Sequence, residues 1–441
     1  MKSGNLTAWQ QLMTLGTGSA SDAAFQQMQG NNPDGTRNAA FPILLNASSL
    51  IDYMILHIFH GADDWPNHNW WAGRATLNTT AVNDGFHFFA WDQEISSENV
   101  IYERSSWQSY PSLYADANAA STPTQPYYAL RTGSADFRMK FADRVHRHLF
   151  NAGALTTTAA TARWNARVAE IDKAIVAESA RWGDYQPNLS NAGQPYRREV
   201  EWLNHLAWMA ANYWPQINAT ALQRYRDAGL YPALSAPAIN QFGGWYLPGF
   251  TASLSHTNGA GIIKYTLDGT DPRLPGGAQN PAALTYAAAV ALSGTQTVKA
   301  RVLNGTTWSA LLETTFLPHP DRDGDGIPND WELAHALNPD NAADALLDSD
   351  NDGFSNTAEY AADTDPRDGT STFTATALKD AAGLHIQFTA KANRRYRLEV
   401  SDALTAWTTI KSRKPSASDT AVDWLLTPAE GRRFYRVVAA L

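Results

Sequence analysis

Ser49-Leu-Ile-Asp-Tyr-Met-Ile-Leu-His-Ile-Phe-His60 runs directly into Gly61-Ala-Asp63-Asp64-Trp65-Pro66-Asn67-His68-Asn69-Trp70-Trp71-Ala-Gly-Arg74. The first half repeats apolar residues at three- and four-residue intervals over more than strand length, so it reads as a helix. The second half sets carboxylates and amides among tryptophans. Some way on, Gly85-Phe-His-Phe-Phe-Ala-Trp91 leads into Asp92-Gln93-Glu94. That aromatic run, bounded by Asn83-Asp84-Gly85, reads as a buried strand or hairpin arm. Thr161–Trp182 and Arg198–Trp214 share the helical period, so residues 5–235 are expected to form a mostly helical lobe with one strand inside it.

After Tyr231-Pro232 the texture changes. Short β-rich runs at Phe250–Ser255, Gly261–Leu267, Val290–Leu292, Thr297–Leu303 and Leu312–Phe316 alternate with Gly, Pro, Asn and Asp turns, at a spacing that suits a sandwich. An acidic segment follows Pro318-His319-Pro320. Strands then return, at Leu384–Phe388, Arg395–Val400, Trp407–Ile410 and Phe434–Val438. A chain of 441 residues suggests about three domains at ~150 residues each. The expected organisation is a helical domain over 1–235, a β domain over 236–318, an acidic spacer over 319–370 and a C-terminal β domain over 371–441.

Apolar residues make up 44% of the chain and charged residues 17%, with 16 Trp, 17 Tyr and 16 Phe, which excludes bulk disorder, collagen and coiled coil. The absence of cysteine excludes disulfides, thiolate nucleophiles and thiolate metal sites. A net charge of −9 argues against a sequence-independent nucleic-acid partner, which needs a basic face. No run approaches the ~18 apolar residues of a membrane span, and the polar start Met-Lys-Ser-Gly-Asn lacks a signal-peptide core. The chain is expected to be cytoplasmic or the tail of a longer protein. Its negative charge is local: from Asp321 to Asp365 there are 13 acids and one base, a net −12, leaving +3 for the rest.

Those acids are regularly spaced. Asp321-Arg-Asp323-Gly-Asp325-Gly326-Ile327-Pro-Asn329-Asp330-Trp-Glu332 fits D-x-[DN]-x-[DN]-G-x5-E, and Asp348-Ser-Asp350-Asn-Asp352-Gly353-Phe354-Ser-Asn356-Thr-Ala-Glu359 fits it again. Calcium takes about six to eight oxygen ligands, and this spacing supplies them. In the first loop the ligands would be Asp321, Asp323, Asp325, the Ile327 carbonyl, Asn329 and Glu332. In the second they would be Asp348, Asp350, Asp352, the Phe354 carbonyl, Asn356 and Glu359. Each asparagine would act directly or through water. A proline-flanked entry, Leu317-Pro-His-Pro320, speaks against the leading helix of a sensor EF-hand. The loops resemble those of dockerins and thrombospondin type 3 repeats. That likeness implies structural calcium and an extracellular or cell-surface setting.

Asp64 and Asn69 have the D-x4-N spacing of a kinase catalytic loop, and Asp92 ends an aromatic strand where a kinase places its metal-binding aspartate. Spacing alone also allows Asp-Trp-Pro to be a helix-ending turn, or Asp64 and Asp92 to be a glycosidase acid pair. The run D-W-P-x-x-N-W-W-x-x-R followed by F-x-F-F-A-W-D-x-E resembles the CotH-type kinase-like family of spore coat proteins, and the likeness extends through Leu222–Pro232. It implies transfer of phosphate from ATP to serine of secreted or coat proteins. Asp64 would be the catalytic-loop acid, Asn69 and Asp92 the ligands of Mg²⁺, and Asn67 and Glu94 lesser partners.

A kinase also needs a strand lysine and a cover over the phosphates. Residues 1–235 hold only Lys2, Lys140 and Lys173, the last two in helical patterns, and no glycine-rich hairpin precedes Asp64. The chain is therefore expected to begin partway through the family's domain and to keep only its metal-binding half-site. Tyr265-Thr-Leu-Asp268-Gly-Thr-Asp271-Pro272 resembles the signature of chitobiase C-terminal-like, immunoglobulin-like sandwiches, and its acids read as turn formers. Trp245 or Trp308, if exposed, could stack on a sugar ring. The fold expected is thus a mainly α kinase-like C-lobe, an immunoglobulin-like β-sandwich, EF-hand-like calcium loops and a small C-terminal β domain. The function is either that of a CotH-like kinase, incomplete in this chain, or that of a non-catalytic, calcium-stabilised surface or glycan-binding protein.

Overall fold

A computed structural model describes residues 5–62, 65, 66, 68–75, 84–93, 119–184, 194–427 and 432–440. The chain forms two compact units, one of residues 1–244 and 251–316, the other of residues 245–250 and 317–441.

The first unit begins with the helical lobe. Its central helix, Ala47–His60, starts where the Asn46 side chain accepts the Ser49 N–H at 2.9 Å and stops at Gly61, whose φ of 59° gives the left-handed turn. Leu50, Ile51, Met54, Ile58 and Phe59 are buried, the periodicity read from sequence. Against it packs helix Ala135–Leu149, capped by Ser134. That helix buries Phe137, Phe141, Val145 and Leu149, one every four residues. Tyr225 of helix Trp214–Asp227 donates its hydroxyl to the Ile55 carbonyl at 2.9 Å.

Helix Thr157–Trp182 buries only Ala160. The helix expected at Arg198–Trp214 runs on to Asp227, with π-helical turns at Arg198–Trp202 and Met209–Tyr213. Among the described residues no helix is long and apolar enough to cross a membrane. The expected strand is there as His87–Ala90, antiparallel to Trp70–Gly73.

The same unit includes an antiparallel sheet ordered Leu312–Pro318 (in this unit as far as Phe316), Gln296–Asn304, Ile262–Thr266, Leu284–Thr285, with Thr307–Trp308 pairing off the Gln296–Asn304 strand. Its core is Leu254, Ile263, Ala300, Val302 and Leu312. The β segment joins the helical lobe through charge. Arg301, 1% exposed, gives Nε and Nη2 to Asp271 at 2.7 and 2.6 Å, and Nη1 and Nη2 to Asp143 of helix Ala135–Leu149 at 2.7 Å. Its Nη1 also donates to the Ser309 carbonyl at 2.9 Å. A second bridge runs from Arg273 to buried Asp136 at 2.6 Å. Asp271 is therefore more than a turn former. Trp308 is buried, its Nε1 donating to the Gly277 carbonyl at 2.8 Å, which removes it as a sugar platform, whereas Trp245 is exposed.

In the second unit, short helices Asn329–Ala334 and Asn356–Ala362 follow the two acidic loops. Beyond them come two three-stranded sheets, Thr376–Lys379 with Leu384–Ala390 and Thr420–Leu426, and Thr408–Arg413 with Arg395–Ser401 and Phe434–Ala440. Thr376–Lys379 and Thr420–Leu426 are additional to the strands read from sequence. Phe388 and Val422 of one sheet meet Tyr396 and Val437 of the other in a single core. Arg394 pairs with Asp363 at 3.1 Å and lies over the Tyr360 ring, tying these strands to the second loop's helix.

Candidate functional site

Two sets of residues carry chemistry. In the first unit, the antiparallel register pairs Trp70 with Ala90. Asn69, just before one strand, and Asp92, just after the other, therefore stand at the same end of the hairpin. Both have left-handed backbones, φ 61° and 52°, a conformation that Asn and Asp tolerate better than most residues. Gln93 braces the end, donating Nε2 to the Trp91 carbonyl at 2.7 Å and the Asn69 carbonyl at 3.5 Å.

At the hairpin's other end Asp84 accepts from Asn46 Nδ2 and pairs with His87, each at 2.8 Å, while Phe88 N–H donates to Ser49 Oγ at 2.9 Å. The cap of the central helix thus also anchors the hairpin. Trp65 stacks on His57 and donates its Nε1–H to the Tyr53 hydroxyl. Burial pushes His57 down to about 4, so its imidazole stays neutral, with Nδ1 facing the Tyr53 carbonyl at 2.8 Å. Asp64, Asn67 and Glu94 lie outside the described residues.

In the second unit the first loop brings Asp321, Asp323 and Asp325 together, and Asp325 also groups with Glu332 and Asp344; within each group one oxygen per residue lies within 4.8 Å of the others. Two oxygens on one Ca²⁺ at about 2.4 Å can be at most about 4.8 Å apart, so the spacing matches. The second loop groups Asp348, Asp350 and Asp352 in the same way. Gly326 and Gly353 have φ of 92° and 98°, and each donates its N–H to the loop's first aspartate, Asp321 or Asp348, at 2.9 Å. This left-handed turn explains the glycine at position 6.

Each position-12 glutamate comes from the first turns of the helix that follows its loop. Glu332 is 0% and Glu359 1% exposed. Neither Glu332 oxygen has a hydrogen-bond partner, nor do Asp323 Oδ2, Asp325 Oδ2, Asp344 Oδ1, Asp350 Oδ2, Asp352 Oδ2, Asn356 Oδ1 and Glu359 Oε2. Buried oxygens without donors are costly, and those of Asp323, Asp325, Glu332, Asp344, Asp350 and Asp352 belong to the grouped carboxylates. Burial, reinforced by the neighbouring carboxylates, pushes Glu332 and Glu359 each up to about 7. A hard divalent cation would supply the missing positive charge, and the donor set, oxygen without sulfur or imidazole, is that of calcium.

Asn329 engages backbone, accepting from Arg322 N–H and donating to the His319 carbonyl, both at 2.9 Å. Asn356 donates to the Asp344 carbonyl at 2.7 Å. Ile327 is buried and Phe354 exposed. Asp344 was not found from the loop spacing, because it lies outside both twelve-residue patterns. Its only signal in the sequence is its membership of the acidic run.

Fold and sites together define a helical region followed by β modules and paired acidic loops. Residues 22–210, a little less than half of the chain, match the model of the CotH kinase protein family. Residues 253–316 match the Fn3 associated model, and residues 321–335 and 348–369 match the bacterial TSP3 repeat. No curated protein gives a match to the chain. TSP3 repeats typically bind calcium, in keeping with the acidic clusters.

Proposed function

We propose that this chain is the C-terminal portion of a secreted or surface CotH-like kinase that transfers phosphate from ATP to serine of an extracellular protein. The observation that supports the reading is the hairpin register, which leaves Asn69 and Asp92 at the same end of the hairpin. An amide and a carboxylate oxygen are the pair with which kinases hold Mg²⁺. On this reading Asn69 and Asp92 hold the metal that neutralises phosphate charge, and Asp64 orients the serine hydroxyl and takes its proton.

Lys140 and Lys173 lie within helices Ala135–Leu149 and Thr157–Trp182, so neither offers the strand lysine that grips the α- and β-phosphates. The half-site is accordingly read as incomplete in this chain. The sheet at 262–318 is read as an immunoglobulin-like accessory module, the paired loops as EF-hand-like structural calcium sites in a spacer, and the 371–441 strands as a small C-terminal β domain.

The test is a calorimetric titration of MgATP into the full-length gene product, this chain and Asp92→Ala variants of both. Binding is expected in the full-length protein and is lost with Asp92→Ala. A full-length protein that binds no nucleotide sinks the reading. It would leave a non-catalytic, calcium-stabilised surface protein, for which exposed Trp245 is the remaining candidate contact to a glycan.

A further inference from the structure

We propose that Asp344, which belongs to neither acidic loop, is a direct ligand of the cation held by the first loop and makes that site the tighter of the two. The proposal rests on the calcium reading of the loops. Asp344 sits in the turn Asp344–Leu346 between the loops, outside both matched repeats. It is 7% exposed, yet its Oδ1 has no hydrogen-bond partner.

Its other oxygen is engaged: Oδ2 accepts the Asn338 N–H at 2.8 Å, which holds the carboxylate in one orientation. A carboxylate oxygen lies within 4.8 Å of its counterparts on Asp325 and Glu332, and Glu332 is itself wholly buried with neither oxygen hydrogen-bonded. Three carboxylates grouped in this way, those of Glu332 and Asp344 buried and that of Asp325 half-buried, repel, so the arrangement calls for a cation between them.

Asp325 belongs both to this group and to the Asp321–Asp323–Asp325 group. The first loop, its helix and Asp344 thus present five carboxylates in two groups that share Asp325: Asp321, Asp323, Asp325, Glu332 and Asp344. The second offers Asp348, Asp350 and Asp352, with Glu359 nearby; one Glu359 oxygen already accepts from Thr364 Oγ1 at 3.2 Å. Calcium affinity rises with ligand charge and with rigidity, and both favour the first site. The turn that carries Asp344 also touches the second loop's helix, through Asn356 Nδ2 on the Asp344 carbonyl at 2.7 Å and Thr357 Oγ1 on the Ala345 carbonyl at 2.9 Å.

The experiment is a calcium titration of the whole chain, stripped with chelator, by calorimetry and by terbium luminescence excited through Trp331, the neighbour of Glu332. Wild type is expected to show two unequal sites. Asp344→Asn can still accept the Asn338 N–H while losing the charge, and is expected to weaken the tighter site by about tenfold or more, leaving the other unchanged. Asp340→Asn, on an exposed residue paired with Arg322, is expected to leave both sites unchanged. If Asp344→Asn titrates as wild type does, the proposal is wrong. If wild type binds no calcium, the calcium reading itself fails. Should Asp344→Asn not fold in saturating calcium, Asp344→Glu takes its place: loss of affinity at the tighter site alone supports the ligand, and unaltered affinities overturn it.

Discussion

Arg301 concentrates more of the first unit's polar bonding than any position read from the sequence suggested. Its guanidinium faces two carboxylates from elements far apart in the chain, and those carboxylates hold it firmly in the charged form while it keeps Asp271 below the usual carboxylate range. Removing one partner of such a buried set strands the others. Arg301→Ala is therefore expected to cost about 3–5 kcal/mol, read as a lower denaturation midpoint of the first unit. Arg301→Lys should recover only part, since a point charge cannot serve two carboxylates bidentately. An Arg301→Ala midpoint equal to wild type would mean that the network is ornamental. Local sequence could place Asp271 in a turn but not opposite Arg301, because that contact spans 30 residues and the one to Asp143 spans 158. The calcium loops were legible for the opposite reason: ligand spacing within twelve residues is a local property, and Asp344 escaped the reading by lying outside it.

Helices Ala47–His60 and Ala135–Leu149 each bury a neutral histidine. His57 Nδ1 faces the Tyr53 carbonyl at 2.8 Å and His146 Nδ1 the Tyr231 hydroxyl at 3.1 Å, while neither Nε2 has a hydrogen-bond partner. Burial pushes both down to about 4; Arg301 adds to this for His146, as His60 does for His57. In the unfolded chain a histidine titrates near 6.5. Between 6.5 and about 4 the unfolded state therefore binds more protons than the folded one, and stability falls as pH drops through that window. Denaturant midpoints of the first unit should be flat from pH 8 to 7 and decline from pH 6.5 to 4.5. The double variant His57→Phe, His146→Phe should decline less steeply; an unchanged slope would assign the acid sensitivity elsewhere. At this scale the helical period was read correctly, and the aromatic run is a hairpin arm rather than a buried strand, with Phe88 buried and Phe89 exposed. The π-helical turns within Arg198–Asp227 were not read, because each i to i+5 turn adds one residue to the helical period, and a one-residue shift in a run this rich in apolar residues still reads as a continuous helix.

For the whole molecule, the acidic charge and the fold divide along the same line. The net −12 between Asp321 and Asp365 falls entirely in the second unit, and its unpartnered carboxylate oxygens are the cost of keeping the loops folded without a cation. Calcium that binds only the folded loops stabilises them by mass action, adding about 2.7 kcal/mol when free calcium is a hundred times the dissociation constant. The first unit carries no such cluster among its described residues. Calorimetry of the intact chain in millimolar calcium, and again in excess chelator, is therefore expected to move the transition of residues 317–441 downwards and leave that of the helical and Fn3 associated part in place. Magnesium alone should restore little of the shift, because it prefers a tight octahedral site and gives up its waters reluctantly. Limited proteolysis provides the second readout: chelator should open cleavage between Asp321 and Asp365 before any appears in helix Ala47–His60. A chelator that shifts neither transition would leave the paired loops as acidic spacers without a structural metal.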